Sequence, residues 1–220
     1  MNAVVTGGCK GLGLSFTKEL VRRGYHVYAL YNSSIHAAES LASDDITTIH
    51  CDITNEEEII KSLPDNIDLL INNAGLAADN LYQDKTKEEF MRVLEVNVCG
   101  TFLMIKHSIP KLTKDAVIVN ISSDNSIDGN SIYSMDYDAS KAGINLLTKD
   151  FAMALEHKIV SICPGWINTE EVQKMSPIFL NQEMARNHQT RLIDPDQLAS
   201  IILDGIPEYT TGSIVEIKEI

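Results

Sequence analysis

Short runs of β-branched and aliphatic residues recur along the whole chain, and each is followed by a longer stretch of helical character. This alternation constrains the fold more than any other property, because strands separated by crossover helices pair in parallel and need cover on both faces. Seven runs fit strands: Ala3–Thr6, Val27–Tyr31, Thr47–Cys51, Leu69–Asn72, Val117–Ser122, Ile159–Cys163 and Ile214–Ile217. Helix starts are marked locally. Thr54 with Glu57 and Thr86 with Glu89 have capping-box spacing, and Asp194 followed by Pro195 reads as an N-cap with proline in the first turn. Gly24, after Arg22 and Arg23, reads as a helix stop. No repeat, low-complexity tract or linker interrupts the pattern. Residues 1–220 are therefore expected to form a single α/β domain, doubly wound, with a seven-stranded parallel sheet and helices on both faces.

Composition closes off other classes. The 220 residues are 44% hydrophobic and 22% charged, ordinary for a globular chain that folds on its own core. The longest apolar stretches, such as Phe102 to Ile105, fall far short of the roughly 20 residues a membrane span needs. The N-terminus has glycines where a signal peptide would have an apolar segment, so a cytoplasmic location is expected. A formal net charge of −13 repels phosphate backbones and anionic lipid, so neither nucleic acid nor membrane is an expected partner. Cys9, Cys51, Cys99 and Cys163 lie far apart without a CxxC pair or a nearby histidine cluster. No metal site and no disulfide framework is expected, only small buried hydrophobes.

The first strand runs directly into Thr6-Gly7-Gly8-Cys9-Lys10-Gly11-Leu12-Gly13, and then into a helix with Leu12, Phe16 and Leu20 four residues apart. Glycines permit a tight turn and close backbone approach, so that amide N–H groups and the positive helix end can hold a pyrophosphate. Between the first strand and first helix of a βαβ unit, such a turn marks a dinucleotide site in a Rossmann-type domain.

The TGxxxGxG spacing of these glycines resembles the short-chain dehydrogenase/reductase family, and the resemblance continues almost to the C-terminus. Asn72-Asn73-Ala74-Gly75 is similar to the family's NNAG segment, Cys51-Asp52-Ile53 to its adenine-contacting turn, and Pro164-Gly165-Trp166-Ile167-Asn168-Thr169 to its PGxxxT loop. The resemblance implies cofactor contacts at Gly7, Cys9, Lys10, Gly11, Leu12, Gly13, Asn32, Ser33, Asp52, Ile53, Asn73, Ala74, Gly75, Tyr137, Lys141, Pro164, Gly165, Ile167 and Thr169. Asp52 and Asn73 would line the adenosine end, and Ile167 and Thr169 would hold the nicotinamide carboxamide. An acidic residue after the second strand would bind both ribose hydroxyls of NAD and repel the extra phosphate of NADP. This chain has Tyr31-Asn32-Ser33-Ser34 there, and Lys10 adds a cation, so NADP(H) is the expected cofactor.

Tyr137-Asp138-Ala139-Ser140-Lys141 opens a helical stretch, and a spacing of four puts tyrosine and lysine on one face. Lowering a phenol pKa from about 10 by about 3 corresponds to roughly 4 kcal/mol. A solvated ammonium at 4 Å supplies only about 1 kcal/mol, whereas a partly desolvated one supplies about 4. The pair needs a sheltered site. The resemblance assigns Tyr137 as general acid/base and Lys141 as the group that lowers its pKa and binds the nicotinamide ribose. It also gives Ser123 the substrate oxygen and Asn97 a water of the proton relay. Aligning Ile121-Ser122-Ser123 with the family prefers Ser123 over Ser122, and Tyr133 has no lysine at the required distance.

The run Asn72–Leu81, with Glu88-Glu89-Phe90 and Val93, is most similar to the 3-oxoacyl-acyl-carrier-protein reductases of fatty-acid biosynthesis, which implies NADPH-dependent reduction of a 3-oxoacyl thioester. The chain departs from them in a short link between the Tyr137 helix and Ile159, in Ile132–Asp136, in the short lid 170–193 and at Ile217–Ile220. Two alternatives stay open: a reductase or dehydrogenase of a free small carbonyl or sugar, and a non-catalytic NADP-sensing protein. An acyl carrier is acidic, so Arg92, Arg186 and Arg191 are candidates for docking an acyl-carrier-linked substrate. Apolar residues on several faces of Phe90–Ile105 and Ala142–Leu155 suit the family's homotetramer, or a dimer.

Overall fold

A computed structural model describes every residue except Asp79, Asn130 and Ile220. Asp79 of the Asn72–Leu81 run and Ile220 of the C-terminal Ile217–Ile220 segment thus lie outside the described residues. The strands are β1 (Asn2–Thr6), β2 (His26–Tyr31), β3 (Ile46–His50), β4 (Ile67–Asn72), β5 (Leu112–Ile121), β6 (Lys158–Pro164) and β7 (Ile214–Ile217). They form one sheet in the order β3-β2-β1-β4-β5-β6-β7, every neighbouring pair parallel. The expected doubly wound α/β architecture is the observed one. Most strand ends fall within one or two residues of expectation. The exception is β5, which begins at Leu112, paired with Ile67 ahead of a register shift. Its polar opening Thr113-Lys114-Asp115 hides that first pairing from any hydrophobic pattern.

Side-chain alternation along the strands divides the core in two. Ala3, Val5, Leu69, Ile71, Val119, Ile121, Val160 and Ile162 point to one face, where they meet Leu12, Phe16 and Leu20 of α1 (Gly11–Arg22) and Leu198 and Ile202 of α10 (Pro195–Gly205). Val4, Leu70, Ile118 and Ile159 point to the other and meet Ile59 of α3 (Glu56–Ser62), Met104 and Ile105 of α5 (Thr101–Ser108), and Phe151 of α7 (Met135–Ala154). Burial on both faces is why these strands read as continuous apolar runs.

The remaining helices are α2 (Ile35–Leu41), α4 (Lys87–Leu94), α6 (Asn125–Asp128), α8 (Glu170–Gln173) and α9 (Pro177–Arg186). Thr86 and Glu89 form the expected capping box on α4, Asp194 caps α10 ahead of Pro195, and Gly24 follows α1 with φ +83°. The Thr54–Glu57 box is not formed. Asn55 caps α3 instead, accepting from the N–H groups of Glu57 and Glu58, while Thr54 donates to Asp52. Asn and Thr both cap well, and the competing carboxylate one turn back decides between them.

Candidate functional site

Strand order reverses beside β1, so the loops after β1, β4, β5 and β6 splay around one crevice at the C-terminal edge of the sheet. That crevice is a 640 Å³ cleft. Its floor is the glycine turn, which passes through left-handed backbone at Gly7 (φ +64°) and Gly11 (φ +51°). At Gly13 a methyl group would sit 2.1 Å from the Gly7 carbonyl oxygen and 2.6 Å from Asn73 Nδ2, so only glycine fits. Thr6 Oγ1 accepts from the N–H groups of Asn73 and Ala74, both at 2.9 Å, and Asn73 Nδ2 donates to the Thr6 carbonyl at 3.0 Å. The two loops are thus stapled together. No side chain caps the N-terminus of α1 and its first turn holds no acidic residue, which leaves backbone donors facing the cleft.

Cys9 and Leu12 are buried, Leu12 within the core. The Cys9 thiol packs toward the Ala29 carbonyl and burial pushes it up to about 11. Both line the cleft.

At the far end of the cleft lie Asn32, Ser33, Asp52 and Ile53. Burial pushes the Asp52 carboxyl up, but hydrogen bonds from Thr54 and Asn32 and the charge of Arg92 outweigh it and hold it below the usual carboxylate range. Lys10 lines the cleft and is exposed, and a phosphate there would compete with a carboxylate for it. Its Nζ sits 2.7 Å from Glu171 of α8, an ion pair across the mouth of the cleft that no local pattern announces. Arg92 lines the cleft 3.9 Å from Asp52 and 2.9 Å from Glu95, with its side chain 46% exposed.

The reaction centre assembles at the middle. Lys141 is 3% exposed, its Nζ donates to the Ile121 carbonyl at 2.8 Å and lies 5.4 Å from the centroid of the Tyr137 ring. Burial pulls the ammonium down from 10.5 to about 8, partly opposed by the Cys163 thiol. Above it Gly75 leaves a gap, since a methyl group there would lie 3.4 Å from Lys141 Nζ. Ser122 and Ser123 separate cleanly. Ser122 Oγ donates to the Lys141 carbonyl at 3.0 Å and anchors α7, whereas Ser123 Oγ donates to Asp124 Oδ1 at 3.1 Å. Tyr133 packs edge-on against Phe179 of α9 and is not among the residues lining the cleft.

Asn97 is fully buried in a π-helical turn, Glu95–Gly100, that joins α4 to α5. Its side chain is occupied: Oδ1 accepts from Leu76 N–H at 2.7 Å, and Nδ2 donates to the Leu76 carbonyl at 2.9 Å and to Ser140 Oγ at 2.8 Å. π turns concentrate at functional sites because they widen the helix locally.

The PGxxxT loop closes the cleft from β6. Pro164, Gly165, Ile167 and Thr169 all line it. The Thr169 hydroxyl caps α8 by accepting from Val172 N–H, so a second role for that oxygen would have to be shared. Gln189, buried and missed by sequence reasoning, holds the loop by accepting from Trp166 N–H at 2.7 Å and donating to the Trp166 carbonyl at 2.8 Å. Also missed were Asp124, Glu183 of α9, and a buried ion pair of Lys85 with Asp136 at 2.8 Å beside Tyr137. Asp124 had one usable signal, its position directly after Ser123; the others depend on contacts distant in sequence. Among the described residues there is no cluster of metal-ligating side chains, and no helix is long and apolar enough to cross a membrane.

Comparison with known proteins agrees with this geometry. The family profile for short chain dehydrogenase matches residues 1–177. The chain is 29% identical to the 3-oxoacyl-[acyl-carrier-protein] reductase FabG of Aquifex aeolicus (strain VF5), covering 98% of this chain and 95% of that protein. It is 32% identical to the acetoacetyl-CoA reductase of Shinella zoogloeoides, over 91% of this chain and 88% of that one. The crystal structure of a dehydrogenase/reductase from Sinorhizobium meliloti 1021 superposes with a TM-score of 0.91 over 98% of this chain and 92% of that one, at 22% identity, a likeness that shows the fold. With its sheet order, its glycine turn and a profile match spanning most of its length, the chain belongs to the short-chain dehydrogenase family and is an oxidoreductase of that family.

Proposed function

We propose that this protein reduces a ketone with NADPH, and that the ketone is a 3-oxoacyl thioester. One observation carries the reading: a fully sheltered lysine ammonium lies against the ring of the tyrosine four residues before it, at the centre of a cleft long enough for a dinucleotide. The residues present fit that cofactor. The glycine turn offers backbone donors to a pyrophosphate, Lys141 and Gly75 line the cleft where the nicotinamide ribose would lie, and Asn32 and Ser33 put no carboxylate at the second ribose. When bound, the reduced nicotinamide supplies the hydride equivalent to the carbonyl carbon.

The chain's own residues handle the oxygen and the proton. Tyr137 donates a hydrogen bond to the carbonyl oxygen, where negative charge grows in the transition state, and Ser123 adds a second when its hydroxyl turns from Asp124 Oδ1 to the substrate. Tyr137 transfers its phenolic proton to that oxygen, and the desolvated Lys141 ammonium stabilises the phenolate left behind. Asn97, its side chain already committed, holds a relay water through its main-chain carbonyl. Asp52, Ile53, Asn73 and Ala74 border the adenosine, and Pro164, Gly165, Ile167 and Thr169 border the nicotinamide. Exposed Phe102 of α5 and Leu146 and Met153 of α7 support a homo-oligomer.

Loss of NADPH absorbance with acetoacetyl thioester, run beside a panel of free ketones and sugars, tests the reading. Thioester turnover is the expected result. Turnover restricted to free carbonyls would replace the substrate, and tight NADPH binding without any turnover would leave a sensor. NADP(H) selectivity has its own test. Glu171→Gln frees Lys10, and because exposed ion pairs are worth about 0–1 kcal/mol, NADPH is expected to bind up to about fivefold more tightly with NADH unchanged. Equal tightening of both cofactors would remove Lys10 from the 2′-phosphate.

A further inference from the structure

The end of the cleft beyond Tyr137 combines apolar side chains with buried acid. Trp166, Val172, Met175 and Phe179 line it, together with Asp124 and Glu183. The two carboxylate residues are 4% and 5% exposed. Asp124 is held on three sides: Oδ1 accepts from Ser123 Oγ at 3.1 Å and from Asn125 N–H at 2.9 Å, and Oδ2 accepts from Asn187 Nδ2 at 3.2 Å. Asn187 caps the C-terminus of α9 and donates its N–H to the Glu183 carbonyl, so the two acids belong to one braced wall of the lid. Arg186 pairs with Glu183 at 2.8 Å but does not itself line the cleft. Lys218 and Glu216 act on Asp124 in opposite directions, and burial dominates both.

Arg186 offsets Glu183 from outside the cleft lining, and Asp124 has no ion-pair partner among the described residues. Among the described residues lining the cleft, the lysines and arginines are Lys10, Arg92 and Lys141. The first is paired with Glu171 and the second sits between Asp52 and Glu95. The third lies against the Tyr137 ring. A substrate carboxylate entering past Ser123 meets the unpaired acid Asp124 and the Glu183–Arg186 pair, and no free cation. At an effective dielectric near 20 and about 6 Å separation, one like charge lowers affinity by roughly 100-fold.

We propose that Asp124 and Glu183 set the charge of the substrate: the cleft admits the neutral, esterified or thioesterified end of a 3-oxoacyl compound and excludes the free 3-oxo acid anion. This rests on the reading that Tyr137 reduces a carbonyl in this cleft. The apolar residues then receive the acyl chain, and the acid wall selects against the hydrolysed substrate. Discrimination of this kind works by repulsion rather than by added attraction.

The test compares methyl acetoacetate with acetoacetate at pH 8 on the NADPH-loaded protein, and measures their binding to the NADP⁺ complex by calorimetry. In the wild type, acetoacetate is expected to be at least about 100-fold poorer in kcat/KM and in affinity. Asp124→Asn is expected to narrow that gap about 100-fold and Glu183→Gln, whose charge Arg186 offsets, about tenfold, both through KM and with NADPH affinity retained. Equal use of ester and acid by the wild type overturns the proposal, as does an unchanged ratio in both variants. If Asp124→Asn loses NADPH binding, Glu183→Gln decides alone. The failure of catalysis as such looks different: neither compound is consumed, while the calorimetric ratio still reports on the acid wall.

Discussion

Tyr137→Phe is expected to lower kcat by about 10²–10⁴, the range a positioned proton donor contributes, while leaving NADPH affinity within about threefold. The substitution removes one oxygen. The ring, its position on α7 and its contact with the Lys141 ammonium all persist, because that contact is with the ring face. Neither the buried Lys141–Ile121 bond nor the Ser122–Lys141 bond involves the phenol oxygen, so the reaction centre keeps its shape. Steady-state kinetics with the best substrate of the panel, beside fluorescence titration of NADPH, reads both numbers. A variant retaining more than about a tenth of wild-type kcat would show that the carbonyl oxygen takes its proton from elsewhere.

Lys141→Met is expected to abolish turnover to a similar degree and at the same time to stabilise the cofactor-free fold. Burial that lowers the ammonium from 10.5 to about 8 costs on the order of 3 kcal/mol when the group is charged. Removing the amine also deprives the Ile121 carbonyl of its donor, a loss of about 1 kcal/mol, so the net gain is about 1–2 kcal/mol. The sign with pH follows from proton counting. Between about 8 and 10.5 the unfolded chain holds a proton on this lysine that the folded chain has shed, so wild-type stability rises with pH through that window. The advantage of Met is therefore full below pH 8 and gone near 10.5. Urea unfolding of both proteins at pH 7 and pH 10 measures it. A variant less stable than wild type at pH 7 would mean that the buried ammonium is better compensated than its single carbonyl partner indicates. In turnover, the cofactor-free lysine is charged below pH 8, so kcat/KM for NADPH is expected to fall on the alkaline side of about 8.

A stabilising substitution that kills activity locates strain at the site itself. Lys141 is held charged in a place that disfavours charge, and the ammonium is useful to Tyr137 for that same reason.

The features legible in the residues were those whose physics is local. Continuous apolar runs for strands buried on both faces, glycines at left-handed backbone in the first turn, the capping box at Thr86 and the four-residue spacing of Tyr137 and Lys141 are all readable within a short window. The glycine turn as the floor of the cleft came with them, whereas the order of the strands came from the tertiary structure.

Long-range pairing was not legible in the same way. Lys10 meets Glu171 across 161 positions, Asp124 meets Asn187 across 63, and Arg92 lies 3.9 Å from Asp52. Ser122 and Ser123 both line the cleft, and only the structure shows that the Ser122 hydroxyl bonds the Lys141 carbonyl while that of Ser123 bonds Asp124. Charges carry no directional code in sequence. Their partners are whichever loops the crossovers bring to the same edge of the sheet, and burial there then sets how strongly each charge acts.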